Sequence, residues 1–296
     1  AASFWASHGG FKTTVHDSLK VGHLWFKWSG DANMLKEQTD AIEARLQASV
    51  KEITQSMDQR GGGIVAIEFI PQPELDNVWQ MQVSFKTADS MGANFINTCL
   101  EAMKEPLASY FEEQNLSTVE IIMAILSNYT PNCLVTCKIS CKVEDLAPYS
   151  ARLSPQEFTQ RFKLAMDIGY HNTYRAVTHN KGIYNGVDAV ALATGNDFRA
   201  VEAAGHSYAS RDGQYRSLSQ CEITGNGVFN LSLTIPLALG TVGGLTRLHP
   251  LAALSMDILQ NPSAEELMSI TVSAGLANNF AAVASLVTTG IQKGHM

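Results

Sequence analysis

Between His23 and Asn128 the apolar positions change rhythm several times. His23–Gly30 reads as a strand closed by a turn, and Asp31 or Ser29 is placed to cap the helix that follows. In that helix Leu35, Ile42, Leu46, Val50, Ile53 and Met57 are spaced by 7, 4, 4, 3 and 4, which makes one continuous helical stripe. Gly61-Gly62-Gly63 stops it. Ile64–Ile70 is a β-rich run broken by Pro71 and Pro73. Trp79, Met81, Val83 and Phe85 then alternate with polar residues, the pattern of a half-buried strand. Asp89 is placed to cap a second helix reaching about Glu113, and Val119–Leu126 reads as a further strand. Strand, helix, strand, strand, helix, strand predicts a ferredoxin-like βαββαβ unit over residues 23–128.

The rest of the chain has a different texture. Ser154-Pro155-Gln156-Glu157 is a capping box with Pro at the first helical position, opening a helix through about Tyr174. Beyond it lie segments rich in Gly, Ala and Asn, where small residues let helices pack closely or let backbone approach a ligand. The expected fold is α+β: a large mixed α/β domain made of residues 1–22 and 129–289, interrupted by the inserted ferredoxin-like unit. No run of about eighteen uninterrupted apolar residues occurs, so no transmembrane helix is expected. Ala1-Ala2-Ser3-Phe4 lacks the basic and apolar regions of a signal peptide.

Charge and cysteine usage narrow the function classes. A net charge of −7 argues against a general nucleic-acid surface, though a local basic patch for phosphates stays open. The five cysteines, Cys99, Cys133, Cys137, Cys141 and Cys221, are odd in number and contain no C-x-x-C pair. Cys133, Cys137 and Cys141 are spaced by four on a strand-like segment and would share a face, without a second element to complete a metal site. They are expected as buried or half-buried free thiols, as in a reducing cytoplasm.

Four segments carry candidate chemistry. In Asp89-Ser90-Met91-Gly92-Ala93-Asn94-Phe95-Ile96-Asn97 an acid precedes a Gly-containing first helical turn; this suits a pyrophosphate, or is simply a capped helix. Tyr174–Gly186 reads as a polar loop in which Arg175, Lys181 and Asn185 suit a carboxylate or thioester, or are solvated. In Ala193-Thr194-Gly195-Asn196-Asp197, Asp197 is either a buried carboxylate needing a cation, for which Lys181 is the candidate, or another helix cap. Gly240-Thr241-Val242-Gly243-Gly244-Leu245-Thr246 is a Gly-rich turn leading into a helix. Neither a phosphate-loop spacing nor G-x-G-x-x-G after a strand is present, so a Rossmann domain is not supported.

Together with the terminal Gly290-Ile291-Gln292-Lys293-Gly294-His295-Met296, these segments resemble the 3-hydroxy-3-methylglutaryl-coenzyme A (HMG-CoA) reductases of the bacterial second class. The motif order agrees, as do the gaps of 16 residues from Lys181 to Asp197 and 98 from Asp197 to His295. The resemblance implies reduction of a thioester to an alcohol with two hydrides from NADPH or NADH, converting HMG-CoA to mevalonate and coenzyme A. It implies Lys181 as the cation at the reacting carbonyl, Asp197 as its acidic partner and His295 as the acid that protonates the departing thiolate. Arg175 and Asn185 would hold the HMG group in the large domain. Asp89, Met91, Gly92, Asn94, Asn97 and Asn128 would contact the dinucleotide on the small one.

The resemblance also implies a cytoplasmic homodimer, without membrane, nucleic acid or metal, whose sites lie at the subunit interface. It implies that the family's catalytic Glu lies upstream of Ala1 and that residues 290–296 only begin a carboxy-terminal flap, so these 296 residues alone are expected to turn over HMG-CoA poorly. NADH-preferring relatives carry an Asp shortly after the triple Gly; here Ala66 stands there, with Glu68 two residues on, which leans the cofactor to NADPH. Asn278-Asn279 stands where relatives often have Gln-Asn. His179 and His206 lie beside motifs, whereas His8, His16, His23, His171 and His249 carry no motif role. Alternatives are a catalytically lapsed homologue that binds coenzyme A or a dinucleotide, and an unrelated ferredoxin-like binding module.

Overall fold

The computed structural model describes residues 1–243 and 245–290. Its contacts divide the chain into two compact units, one of residues 18–130 and one of residues 1–17 and 131–296.

The larger unit opens with helix α1 (Ala2–Ser7) and strand β1 (Lys12–Val15). The smaller unit follows as β2 (Lys20–Lys27), α2 (Ala32–Ser49), α3 (Lys51–Asp58), β3 (Gly63–Pro71), β4 (Val78–Lys86), α4 (Ala93–Glu113) and β5 (Glu120–Leu126). Its four strands form an antiparallel sheet in the order β3-β4-β2-β5, the ferredoxin-like arrangement. The alternation in β4 has the expected consequence: Trp79, Met81, Val83 and Phe85 are buried, against Leu24 and Phe26 of β2 and Leu100, Met103 and Phe111 of α4. Asp31 caps α2 by accepting from the Asn33 amide at 2.9 Å.

Three expectations need correction here. The first strand begins at Lys20 and ends at Lys27, earlier than the expected start at His23. The expected single helix breaks at Val50, whose φ of −107° and ψ of 8° leave the helical region, so α2 and α3 are separate. Asp89 does not cap α4. The N-cap is Gly92, at φ 89°, because Ala88 at φ 45° and a turn closed by Ser90 N–H on the Thr87 carbonyl (2.9 Å) delay the helix by three residues.

The larger unit resumes with β6 (Leu134–Lys142), then a 3₁₀ turn, Val143–Tyr149, and three helices, α5 (Pro155–His171), α6 (Thr173–Ala193) and α7 (Phe198–Ala209). Strands β7 (Ser219–Ile223) and β8 (Val228–Pro236) come next, then α8 (Leu245–Leu248), α9 (Pro250–Ile258) and α10 (Ala264–Val287). The sheet is antiparallel in the order β1-β6-β8-β7. Ser154 and Glu157 form the expected capping box, but α5 ends at His171 rather than near Tyr174, because Asn172 turns extended and caps the next helix. All five cysteines are buried as thiols outside any disulfide among the described residues.

Helix α10 is long and apolar enough, by length and composition, to cross a membrane. Within this unit it is the central core helix: Leu267, Val272, Leu276, Phe280 and Val283 are buried. Phe280 meets Trp5 and Tyr149 edge-on with ring centroids 4.9 Å apart in each case, and Phe162 at 5.5 Å.

Candidate active site

The second candidate segment is not a loop. Asn172 accepts from the Arg175 amide at 3.0 Å and starts α6, which carries the whole segment Tyr174–Gly186 as regular helix. Arg175, Thr178, Gly182 and Asn185 recur at spacings of 3, 4 and 3, so they share one face, with Lys181 beside them. That face and the end of α10 enclose a cavity of about 470 Å³. Arg175, Lys181 and Asn185 line it from α6, and Asn278, Asn279 and Ser285 from α10.

The two walls are joined by polar bonds. Asn278 Nδ2 donates to the Gly182 carbonyl at 2.6 Å. Asn180, fully buried behind the cavity face, donates to the Arg216 carbonyl at 2.9 Å and accepts from the Leu218 amide at 3.0 Å, fixing α6 against the approach to β7. On the cavity face, Lys181 Nζ donates to Asn185 Oδ1 at 2.9 Å. The Arg175 guanidinium is half-buried, and burial lowers its pKa from the ordinary value. Two cations thus stand on one helix face beside amides, an arrangement suited to a ligand carrying a carboxylate and a carbonyl oxygen.

Asp197 lies elsewhere. It is the N-cap of α7, accepting from the Arg199 and Ala200 amides at 3.1 and 3.4 Å. Its cationic partner is Arg199, at 3.1 Å, and not the expected Lys181. The Arg199 side chain holds the Asp197 carboxyl below the usual carboxylate range. Two-residue spacing across the cap made Arg199 the nearer cation, which the motif alone did not reveal. Asp197's neighbour Asn196 joins the third and fourth segments. Its Nδ2 donates to the Gly240 carbonyl at 3.0 Å, and its Oδ1 accepts from the Gly240 amide at 2.8 Å. His295 lies outside the described residues, as does Gly244.

On the smaller unit, Asp89, Asn94 and Asn128 are exposed, Met91 and Asn97 half-buried and Gly92 buried, around and beyond the start of α4. Among the described residues no side chain caps that helix, and no acid stands in its first turn. Asn97 accepts from the Leu126 amide at 2.9 Å, so its side chain ties α4 to the end of β5 and the segment leading to Asn128. The turn before α4 rests on a buried cation that the sequence reading overlooked: Lys20 Nζ donates to Thr87 Oγ1 at 2.7 Å and to the Ser90 carbonyl at 3.3 Å. Glu68 is exposed and accepts from Gln82 at 3.1 Å.

Also overlooked was a buried ring of His179, Ser219 and Asn279 behind the cavity wall. His179 stood beside a motif, but nothing in the sequence links it to residues 40 and 100 positions away. Burial, and secondarily Arg175, push the His179 imidazole down to about 3, so it is neutral at physiological pH.

Comparison with known proteins bears on this arrangement. A family model described as hydroxymethylglutaryl-coenzyme A reductase matches residues 1–296. A curated relative from Archaeoglobus fulgidus, named 3-hydroxy-3-methylglutaryl-coenzyme A reductase, is 33% identical over 297 residues, which is 100% of this chain and 65% of the relative. A solved 3-hydroxy-3-methylglutaryl-coenzyme A reductase from Streptococcus pneumoniae has a TM-score of 0.87 and 37% identity, over 99% of this chain and 68% of that one. A class II reductase from the same organism, bound to NADPH in open conformations, has a TM-score of 0.87 and 36% identity over 97% of this chain and 76% of its own. The chain therefore spans 65% of the length of the curated relative.

Proposed function

The chain belongs to the hydroxymethylglutaryl-coenzyme A reductase family, and we propose that the whole protein reduces HMG-CoA to mevalonate and coenzyme A with two equivalents of NADPH or NADH. The observation that carries this reading is the cavity face of α6, where Arg175, Lys181 and Asn185 converge from the segment that matches the family motif. Arg175 would take the substrate carboxylate. Lys181 would stabilise the negative charge that builds on the carbonyl oxygen, an effect worth several kcal/mol in a water-poor site. Asn185, already bonded to Lys181, would keep the ammonium aimed at that oxygen. Asp197 would act through its neighbourhood rather than by a direct pair with Lys181. His295 would protonate the leaving thiolate.

The start of α4 fits a phosphate-bearing cofactor, because its first amides are not claimed by side-chain caps and no carboxylate stands in its first turn. Asp89, Met91, Gly92, Asn94, Asn97 and Asn128 would line that contact. A bound nicotinamide cofactor supplies the hydride. With Ala at position 66 no carboxylate stands there to oppose a 2′-phosphate, which favours NADPH. The proposed assembly is a homodimer with sites at its interface.

The test uses the full-length protein. Coenzyme oxidation is followed with HMG-CoA, using NADPH and NADH, in the wild type and in Lys181→Ala. We expect turnover in the wild type and a loss of at least about 100-fold in the variant, the size of a lost oxyanion donor. Binding of both ligands without turnover in the wild type would instead favour the lapsed homologue, and an unchanged rate in Lys181→Ala would refute the mechanism.

A further inference from the structure

Three side chains from α6, β7 and α10 close a ring behind the cavity wall. His179 Nε2 lies 2.6 Å from Ser219 Oγ, Ser219 Oγ lies 2.9 Å from Asn279 Oδ1, and Asn279 Nδ2 lies 3.1 Å from His179 Nε2. Relative exposures are 2%, 1% and 2%, so water does not supply alternative partners. His179 and Asn279 both line the cavity. The remaining imidazole nitrogen, Nδ1, is buried without a hydrogen-bond partner among the described residues. It faces α5, where a Cβ on Gly169 would stand 3.6 Å away.

Counting protons decides how the ring is wired. A serine hydroxyl has one proton, and a neutral imidazole has one N–H. The 2.6 Å contact is too short to stand without a proton between its atoms. If that proton came from Ser219, Asn279 Oδ1 would lose its donor and Nδ1 would carry a buried N–H with no acceptor. Orphaned buried N–H groups are rare because they forfeit a full hydrogen bond. If instead Nε2 carries the proton, His179 donates to Ser219 and Ser219 donates to Asn279 Oδ1. Both short contacts are then real bonds, and two groups are left over: an acceptor lone pair on Nδ1, and the Asn279 N–H that lies 3.1 Å from Nε2 and finds no acceptor there. In this wiring the Asn279 N–H groups are not consumed by the ring, since Nε2 is itself a donor.

We propose that His179 and Ser219 are positioning residues that act through Asn279: the relay from His179 Nε2–H to Ser219 to Asn279 Oδ1 locks the amide so that its N–H donors serve an acceptor oxygen of the acyl ligand. The function rests on reading the cavity as the acyl pocket; the wiring does not. The low affinity of His179 for a second proton keeps the relay in one state throughout the working pH range. The facing charge is Arg175, which opposes protonation further.

Two measurements test the proposal in the full-length protein. Ring ¹⁵N–¹H correlation spectra of labelled protein, from pH 5 to 8, should show His179 as the neutral Nε2–H tautomer throughout; an Nδ1–H tautomer or a titration in that window overturns the proposal. In steady-state kinetics Ser219→Ala should raise the KM for HMG-CoA about tenfold, the equivalent of one hydrogen bond, with kcat and the NADPH KM within about twofold. His179→Gln, which places an amide N–H near the position of Nε2–H, should restore the KM to within about threefold of wild type, whereas His179→Phe should not. Equal changes in both KM values, or no change in Ser219→Ala, would count against the relay. If the wild type fails to reduce HMG-CoA, the reductase reading falls, and the tautomer still decides the wiring independently.

Discussion

Replacing Gly186 by Ala probes how closely the two cavity walls are packed. A Cβ at that position would stand 2.6 Å from the Ala274 carbonyl oxygen, 2.9 Å from its carbonyl carbon and 3.1 Å from Asn278 Cβ. Two of these are backbone atoms of α10, which cannot rotate away. Restoring ordinary contact requires α6 and α10 to part by on the order of 0.8 Å at this crossing. Overpacking of this kind costs about 1–3 kcal/mol, and the better helix propensity of Ala returns up to about 1 kcal/mol. The net expectation is a loss of about 1–2 kcal/mol, or about 3–6 °C in the melting temperature of a domain this size. The same displacement would stretch the 2.6 Å bond from Asn278 to the Gly182 carbonyl. Gly182→Ala is the matched control. It lies one turn away on the same helix, and a Cβ there meets nothing within 4 Å, so it should be neutral or gain up to about 1 kcal/mol. Differential scanning calorimetry on full-length protein reads both. A Gly186→Ala protein melting as high as Gly182→Ala would refute the close-crossing argument.

Other expectations follow from single sites. Burial, then the charge of Glu202 and a hydrogen bond with it, raise the Asp188 carboxyl to about 7, above its unfolded value near 3.8. The folded state therefore holds this proton more tightly, and its contribution is full below about pH 4 and lost as pH rises through about 7; Asp188→Asn should flatten that decline in urea-unfolding midpoints. Burial pushes the Cys99, Cys141 and Cys221 thiols up to about 12 and Cys137 up to about 11. Native protein at pH 8 should therefore react slowly with a thiol reagent such as DTNB, with all five thiols reacting after denaturation. Rapid native labelling would contradict the burial. In Gly92→Ala a Cβ would meet Thr87 Cγ2 at 2.4 Å in a backbone conformation of φ 89°, so NADPH affinity by fluorescence titration should fall while HMG-CoA affinity holds.

What the sequence revealed depended on which physical signal a segment carried. The ferredoxin-like unit was legible because period-two strands and a stepped helical stripe bury one face each, as Trp79–Phe85 and Leu35–Leu46 do. Local caps such as Asp31 and Ser154 were legible because partner and donor are two or three residues apart. Helix α6 was harder. Its cavity face carries Arg175, Thr178, Lys181 and Asn185 where a core helix would carry apolar residues, so the segment reads as a loop. Asp89 misled for the opposite reason, since the turn closed at Ser90 and the left-handed Gly92 separate it from the helix it should cap. The capping role of Asp197 was one of its two readings, but its cation was not legible, nor were the partners of His179: one choice depends on cap geometry, the other on bonds between residues 40 and 100 positions apart.

The packing of Trp5 on Phe280 also sets an order on the ribosome. Residues 18–130 form a contiguous unit whose contacts are all available once that stretch has emerged. The larger unit begins before it and closes only when Phe280 reaches Trp5 and Phe229. At translation rates of about 5–20 residues per second, the intervening 150 residues take on the order of 10–30 s. For that interval the aromatic ring stack lacks its last member, and the inner face of β6 and β8 waits for its covering helix. Nascent-chain release at residue 130 and at residue 287 would therefore sample two different states of exposed apolar surface, with chaperone demand concentrated between them.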